Sequence, residues 1–262
     1  MRLTACTWTL RTAHFAQPWV TAGQKNNDAP HTLALRFTID SRVAVKGAKL
    51  AMEDSQYASL TLDGQAIEVK TDGWYTDKAI KTIPLPDFDA GIHELIVTFD
   101  FKREVNPEWM YLLGDFGVVQ HGSTAHIIEP VRTLYYGDWC PQGLPFYGGN
   151  VTYIIPCECG GNGLTVEAPQ YRGGLIRVSI DGKDAGRIVY APYRLHIDAE
   201  AGKHELRLTV YGNRVNGFGA LHHCNTALTW HGPGAWESKG REFSYEYRLK
   251  QCGLLIAPRL YK

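Results

Sequence analysis

Apolar and polar residues alternate with a period of two along most of this 262-residue chain. In the first half TLALRFTI (32–39), AKLAME (48–53), ASLTLDG (58–64), DKAIKTIPL (77–85) and HELIVTFDF (93–101) each place every second side chain on one face. That alternation predicts half-buried β-strands, and the Gly, Asp and Pro residues between them predict turns. No segment before residue 105 sustains a 3.6-residue apolar period, so helices are not expected there. NVTYIIP (150–156), GLTVEA (163–168), GGLIRVSIDG (173–182), GRIVY (186–190), YRLHID (193–198) and HELRLTVYG (204–212) continue the style, and EFSYEYRLK and CGLLIAPRLY close the chain. Short strands at this spacing predict antiparallel β-sandwiches. A barrel of alternating strands and helices would need helices that the pattern lacks.

The pattern also repeats. AGIHELIVTF (90–99) and AGKHELRLTV (201–210) agree at six of ten positions. A zinc-protease site would need a second His four residues after the first, on a helix; those positions are Val97 and Leu208. Each His-Glu pair is therefore expected to begin a strand, launched by the Ala-Gly turn before it. SLTLDGQ (59–65) and RVSIDGK (177–183) extend the repeat, each running an alternating strand into an Asp-Gly hairpin signal. Asp63-Gly64 precedes Ala90-Gly91 by 27 residues and Asp181-Gly182 precedes Ala201-Gly202 by 20, so the second loop is seven residues shorter. More loosely, Glu53 of KLAMED matches Glu167 of LTVEAP. Two copies of one β unit follow, with domains expected at 1–125 and 126–262.

Charge narrows the function classes. With 27 basic and 27 acidic residues the net charge is zero, which removes the footprint of a nucleic-acid binder. No apolar run approaches the roughly 18 residues of a membrane span, and MRLTACTWTLRTAHFAQPW lacks a secretory apolar core. Six cysteines (Cys6, Cys140, Cys157, Cys159, Cys224, Cys252) are too few for a disulfide scaffold, and free thiols in a reducing, cytoplasmic compartment are expected.

Between the copies, VNPEWMYLLGDFGVVQHGSTAHIIEPVRTLYYGDWCPQGLPFYGGNVTY (105–153) is crowded with aromatics. Rings that stack on pyranose faces, ringed by groups that take hydroxyl hydrogen bonds, make a saccharide site. Trp109, Tyr111, Trp139, Phe146 and Tyr147 are the candidate platforms, with Glu108, Asp115, Asp138 and Gln142 as polar partners. Burial at an interface is the other use of such aromatics, and the sequence leaves both open.

LLGDFGV (112–118), GDWCPQGLPFYGGNVTY (137–153) and DGKDAGRIVYAPYRLHID (181–198) carry a family likeness. The chain resembles the accessory galactose-binding-like jelly-roll domains of large bacterial glycoside hydrolases, of family 2 and of rhamnosidase-like enzymes. The likeness rests on Asp181-Gly182, Ala185-Gly186, Pro192-Tyr193, Ile197-Asp198 and Gly202, and NRVNGFGALHHCN (213–225) is similar to an Asn-rich stretch ending in His-His in related proteins. It covers nearly the whole second half and the first half more weakly. The resemblance implies a saccharide ligand, a structural Ca²⁺ as an option and no other cofactor. It also implies a catalytic barrel elsewhere in a longer chain, so that this sequence would be a fragment or a short relative.

A second cluster combines Tyr193, Arg194, His222, His223 and Asn225, with Cys224 and His231 nearby in sequence. Adjacent strand residues point to opposite faces, so hydrogen-bonded loop histidines are expected in preference to a zinc or copper site. Glycoside hydrolysis would need two carboxyl groups about 5 or 6.5–9.5 Å apart, for which Glu104, Glu108, Asp115, Glu129 and Asp138 are the candidates. Nucleophile elbows, P-loops and dinucleotide fingerprints are absent. Three functions are carried forward: a non-catalytic carbohydrate-binding accessory region, a glycoside hydrolase using the aromatic segment's carboxylates, and a purely structural joining module.

Overall fold

The computed structural model describes residues 2–3, 31–102, 105, 107–225, 227, 230, 232–236 and 238–261. Cys6, Glu104 and His231 lie outside the described residues. The chain divides into two compact units, residues 1–117 with 123–130 and residues 118–122 with 131–262. Among the described residues both are built mainly of antiparallel β-strands, and the second also carries a short α-helix, Val215–Phe218.

In the first unit the long strands His31–Ser41 and Gly91–Phe101 pair along their whole length, from His31 opposite Phe101 to Ser41 opposite Gly91. Ala58–Leu62 pairs on the other side of Gly91–Phe101, and Gln65–Ile67 follows it. A second sheet runs in the order Gly73–Tyr75, Asp77–Pro84, Lys49–Met52, Tyr111–Leu113. Alternation does the rest: Phe37, Ile39, Leu60, Leu95, Val97 and Phe99 of one sheet meet Leu50, Met52 and Ile83 of the other in one core.

The second unit repeats this plan. Val151–Cys159 pairs with Gly202–Val210, which pairs with Ile176–Ile180, which pairs with Lys183–Ile188. Opposite it, Leu164–Glu167 lies between Arg194–Ile197 and Arg259–Tyr261. Tyr153, Leu164, Val166, Ile176, Val178, Leu206, Leu208 and Val210 close the core. Four strands of the larger sheet and three of the smaller one follow the order of the first unit, so the repeat extends beyond its Asp-Gly and His-Glu signals to the core of the sandwich.

Those signals form one brace, built twice. Asp63 and Gly64 (φ 51° and 79°), like Asp181 and Gly182 (48° and 77°), occupy the left-handed region, as the central residues of a type I′ hairpin turn must. The Asp63 carboxylate accepts from His93 Nδ1 at 2.7 Å and from the Glu94 amide at 2.8 Å. Asp181 accepts from His204 Nδ1 at 2.7 Å and from the Glu205 amide at 2.9 Å. The other ring nitrogen faces a carbonyl in each case, Asp89 O at 2.9 Å and Glu200 O at 3.0 Å. Carboxylates and carbonyls only accept, so each ring satisfies both partners when both its nitrogens carry protons, and its pKa is raised above the ordinary value. The His-Glu phrase is architecture.

Candidate functional site

Strand register brings two glutamates of contrasting surroundings to one position of the repeat. In the central strand of the second sheet Leu50 pairs with Ile83 and Ala51 with Tyr111. Its counterpart pairs Leu164 with Ile197 and Thr165 with Tyr261. Superposing these pairs sets Glu53 on Glu167 and Tyr111 on Tyr261, which makes the loose Glu match of the sequence a match in register.

In the first unit the surroundings of Glu53 are acidic and aromatic. Burial raises its pKa above the ordinary carboxylate value, and the charges of Glu108, Asp54 and Asp77 raise it further. Tyr111, half-buried, is pushed up to about 12, first by burial and then by Tyr75, Glu108 and Glu53. The rings of Tyr75 and Tyr111 lie 5.4 Å apart and are tilted by 54°. Asp54 and the β-branched Thr76, both next to cluster residues in the chain, hold left-handed backbone (φ 52° and 66°). Two tilted rings among carboxylates can stack a sugar and accept hydrogen bonds from its hydroxyl groups.

The second unit fills the same position with opposite charge. Buried Glu167 accepts a short hydrogen bond from the Tyr261 hydroxyl and lies 3.3 Å from Arg194 Nη2 and 4.0 Å from Arg259 Nη1. The Tyr261 hydrogen bond, followed by the two guanidinium charges, holds its carboxyl below the ordinary value. Arg194 also covers the Tyr261 ring at 5.5 Å. Tyr193, itself left-handed at φ 58°, packs edge-on against Tyr171 at 5.5 Å.

The structure divides the predicted site residues. Glu108 and Tyr111 join the first-unit cluster; Trp109 is half-buried just before Tyr111, and Asp115 lies in the exposed bend after Leu113. Trp139 is a core residue of the second unit with no exposure. Its indole donates to the Tyr153 hydroxyl at 2.8 Å, and Gly253 lies so close that a Cβ there would sit 2.2 Å from Nε1. No ring face is left for a sugar, which corrects its expected role as a platform. Asp138 and Gln142 are occupied internally. Asp138 Oδ1 accepts from the amides of Cys140 and Cys252 at 3.1 and 3.0 Å, and Gln142 bonds the Tyr135 amide at 2.8 Å and Asp138 O at 2.8 Å. Phe146 packs edge-on against Tyr247, while Tyr147 keeps 42% of its surface exposed.

The expected cluster of Tyr193, Arg194, His222 and His223 falls into separate networks. His222 Nδ1 donates to Ser244 O at 2.9 Å and its ring lies 4.7 Å from that of Tyr247. His223, buried, accepts the Asn225 amide at Nδ1, so its proton is on Nε2, which donates to Glu242 at 3.1 Å. Among the described residues no group of three or more His, Cys, Asp and Glu gathers where it could hold a metal ion. Nor is any described helix long and apolar enough to cross a membrane. Tyr75 and Asp77 escaped the sequence reading: GWYTD (73–77) ends the strand Gly73–Tyr75 and turns at Thr76 into Asp77–Pro84, but carries no mark of the ring that Tyr75 meets.

No family model and no curated protein matches the sequence. Among solved structures the chain is similar to a rhamnosidase from Novosphingobium sp. PP1Y, at 16% identity and TM-score 0.32, covering 90% of this chain and 23% of that one. It is similar to Streptomyces avermitilis α-L-rhamnosidase complexed with L-rhamnose, at 14% identity and TM-score 0.29, covering 72% and 24%. A third is the apo form of the Pleurotus ostreatus lectin, at 8% identity and TM-score 0.21, covering 72% and 70%. The chain spans about a quarter of the length of each rhamnosidase.

Proposed function

We propose that this chain is a non-catalytic, saccharide-holding accessory region of a carbohydrate-active enzyme, with its ligand at the Tyr75–Tyr111 cluster of the first unit. The observation that carries this reading is the tilted tyrosine pair beside the carboxylates of Glu53, Glu108 and Asp77, where burial and then the neighbouring charges raise the proton affinity of Glu53. Hydroxyl donors of a sugar satisfy such carboxylates without adding charge. The sequence likeness of the second half to rhamnosidase-like accessory domains supports the substrate class and the expectation of a separate catalytic barrel.

Calorimetric titration and thermal shift against mono- and oligosaccharides, L-rhamnose among them, test this, because a ligand of the native state raises its stability. A saturable shift without turnover is expected. It should weaken at least tenfold in Tyr75→Ala and Glu108→Gln, with the unliganded melting curve of Glu108→Gln unchanged. Binding that both variants retain would move the ligand elsewhere, and silence across the panel would favour a joining module. Hydrolysis is the second reading, favoured by one observation: Glu53 is biased toward holding a proton beside Glu108, the arrangement of an acid paired with a second carboxylate. Release of reducing ends by the wild type, abolished in Glu53→Gln, would put that reading first.

A further inference from the structure

The described cysteines are free, yet two from opposite ends of the second unit's sequence converge. Cys140 and Cys252 share three neighbours. Asn216 Nδ2 lies 3.4 Å from Cys140 Sγ and 3.8 Å from Cys252 Sγ, and the Lys250 carbonyl oxygen lies 3.4 Å and 3.6 Å from the same two sulfurs. Asp138 Oδ1 receives both cysteine amides, and the Trp139 amide donates to Cys252 O at 2.9 Å. Both sulfurs lie within 3.8 Å of one amide nitrogen and one carbonyl oxygen, and both backbone amides bond one carboxylate oxygen, which brings the two cysteines into the proximity that a disulfide needs. The sequence draws the eye instead to Cys157 and Cys159, two residues apart on one extended strand. There the backbone rise holds the Cβ atoms about 6.6 Å apart, beyond the roughly 4.5 Å that a bridge tolerates.

We propose that Cys140 and Cys252 are a modification site: a dithiol that a low-molecular-weight disulfide closes into a clasp, fixing the segment 250–254 to the loop 138–140. Cys140, the more exposed of the two, gives its proton to water and attacks glutathione disulfide, forming a mixed disulfide and expelling one glutathione thiolate. The Cys252 thiol in turn gives its proton to water, and its thiolate attacks Cys140 Sγ and expels the second. Both released thiolates take up protons, so two cysteine thiols are oxidised to one disulfide while one glutathione disulfide is reduced to two glutathiones. The clasp closes a loop of more than a hundred residues through the Asp138–Trp139 bracket of the core, where cross-linking constrains the unfolded chain most strongly.

The test equilibrates the full chain in glutathione buffers of rising oxidised fraction, quenches with an alkylating agent and maps peptides without reduction. One cross-link, Cys140 to Cys252, is expected, with loss of two hydrogens and a melting temperature higher by several degrees that dithiothreitol reverses. Cys140→Ser and Cys252→Ser each abolish the link and the rise, and Cys157→Ser keeps both. If Cys252→Ser does not fold, Cys140→Ser carries the test with the exposed Cys224 as the control for non-specific oxidation. Separate alkylation of both cysteines in the most oxidising buffer, an unresolved mixed disulfide at Cys140, or a link that includes Cys157, Cys159 or Cys224 overturns the proposal.

Discussion

Glu53 and Glu167 occupy one position in two copies of one sandwich and have opposite electrostatics. Glu167 is answered by Tyr261, Arg194 and Arg259, and its carboxyl is held ionised. Glu53 is answered by further carboxylates and a tyrosine pair, and its ionised form is disfavoured. The frame around them is the same, down to braces whose matching hydrogen bonds agree within 0.1 Å, 2.7 and 2.8 Å at Asp63 against 2.7 and 2.9 Å at Asp181. A charge pattern that closes on itself is spent on folding. One in which carboxylates and rings gather around a Glu whose charged form is disfavoured can take hydroxyl donors, which is why the first copy, not the aromatic-rich start of the second, is the place to look for a saccharide.

The largest effect separates core from platform. Trp139→Ala removes a fully buried indole and should cost about 3–5 kcal/mol, read as a lower denaturant midpoint. Unchanged stability with lost sugar affinity would return Trp139 to the surface role its sequence context suggested and erase the contrast between the copies.

Next in size are Glu167→Gln and Glu53→Gln, which should act in opposite directions. The first leaves Arg194 and Arg259 without their carboxylate and lowers the melting temperature; the second removes repulsion from Glu108, Asp54 and Asp77 and leaves it unchanged or raised. Acid separates them further. The folded pKa of Glu167 is depressed, so its contribution is present above the unfolded value of 4.5 and is lost as pH falls through the folded value. For Glu53 the folded pKa is raised, so its contribution is present below 4.5 and is lost as pH rises through the folded value. Melting curves between about pH 3 and 7 that fall in parallel for both variants would refute the assignment.

The histidine braces predict a smaller, shared dependence. For His93 burial opposes the charge, but hydrogen bonds to Asp63 and to Asp89 O prevail and raise its pKa. His204 is raised by Asp181 and by Glu200 O. Stability from both rings is therefore present below the unfolded value of 6.5 and is lost as pH rises through the folded values. Melting temperatures should fall from about pH 6 to pH 9, and by less in His93→Gln combined with His204→Gln.

Period-two alternation showed the strands, and the Asp-Gly and His-Glu phrases showed the duplication, because turn chemistry and pleat are local. What pairs with what across the second sheet is not local: Ala51 meets Tyr111 over sixty residues of chain, and nothing in GWYTD announces that Tyr75 faces that ring. The same gap misplaced Trp139. Aromatic composition is identical for a platform and a plug, and only Gly253, more than a hundred residues on, reveals that the indole is covered.

The smallest effect falls on the most conspicuous residues. Glu94 and Glu205 begin the repeated strands, yet the brace uses their backbone amides, which Asp63 and Asp181 hold whatever the side chain. Among the described residues the carboxylates pair with Arg36 at 3.2 Å and Arg207 at 2.7 Å, each member about half exposed or more. Exposed pairs of this kind contribute at most about 1 kcal/mol. Glu94→Gln and Glu205→Gln should therefore move the melting temperature by little and leave saccharide affinity intact, with any change suppressed in high salt because screening removes surface pairs first. A loss of binding in either variant, with the melting curve preserved, would make the His-Glu phrase chemistry after all and would place a ligand at the hairpin end of the sandwich instead of beside Tyr111.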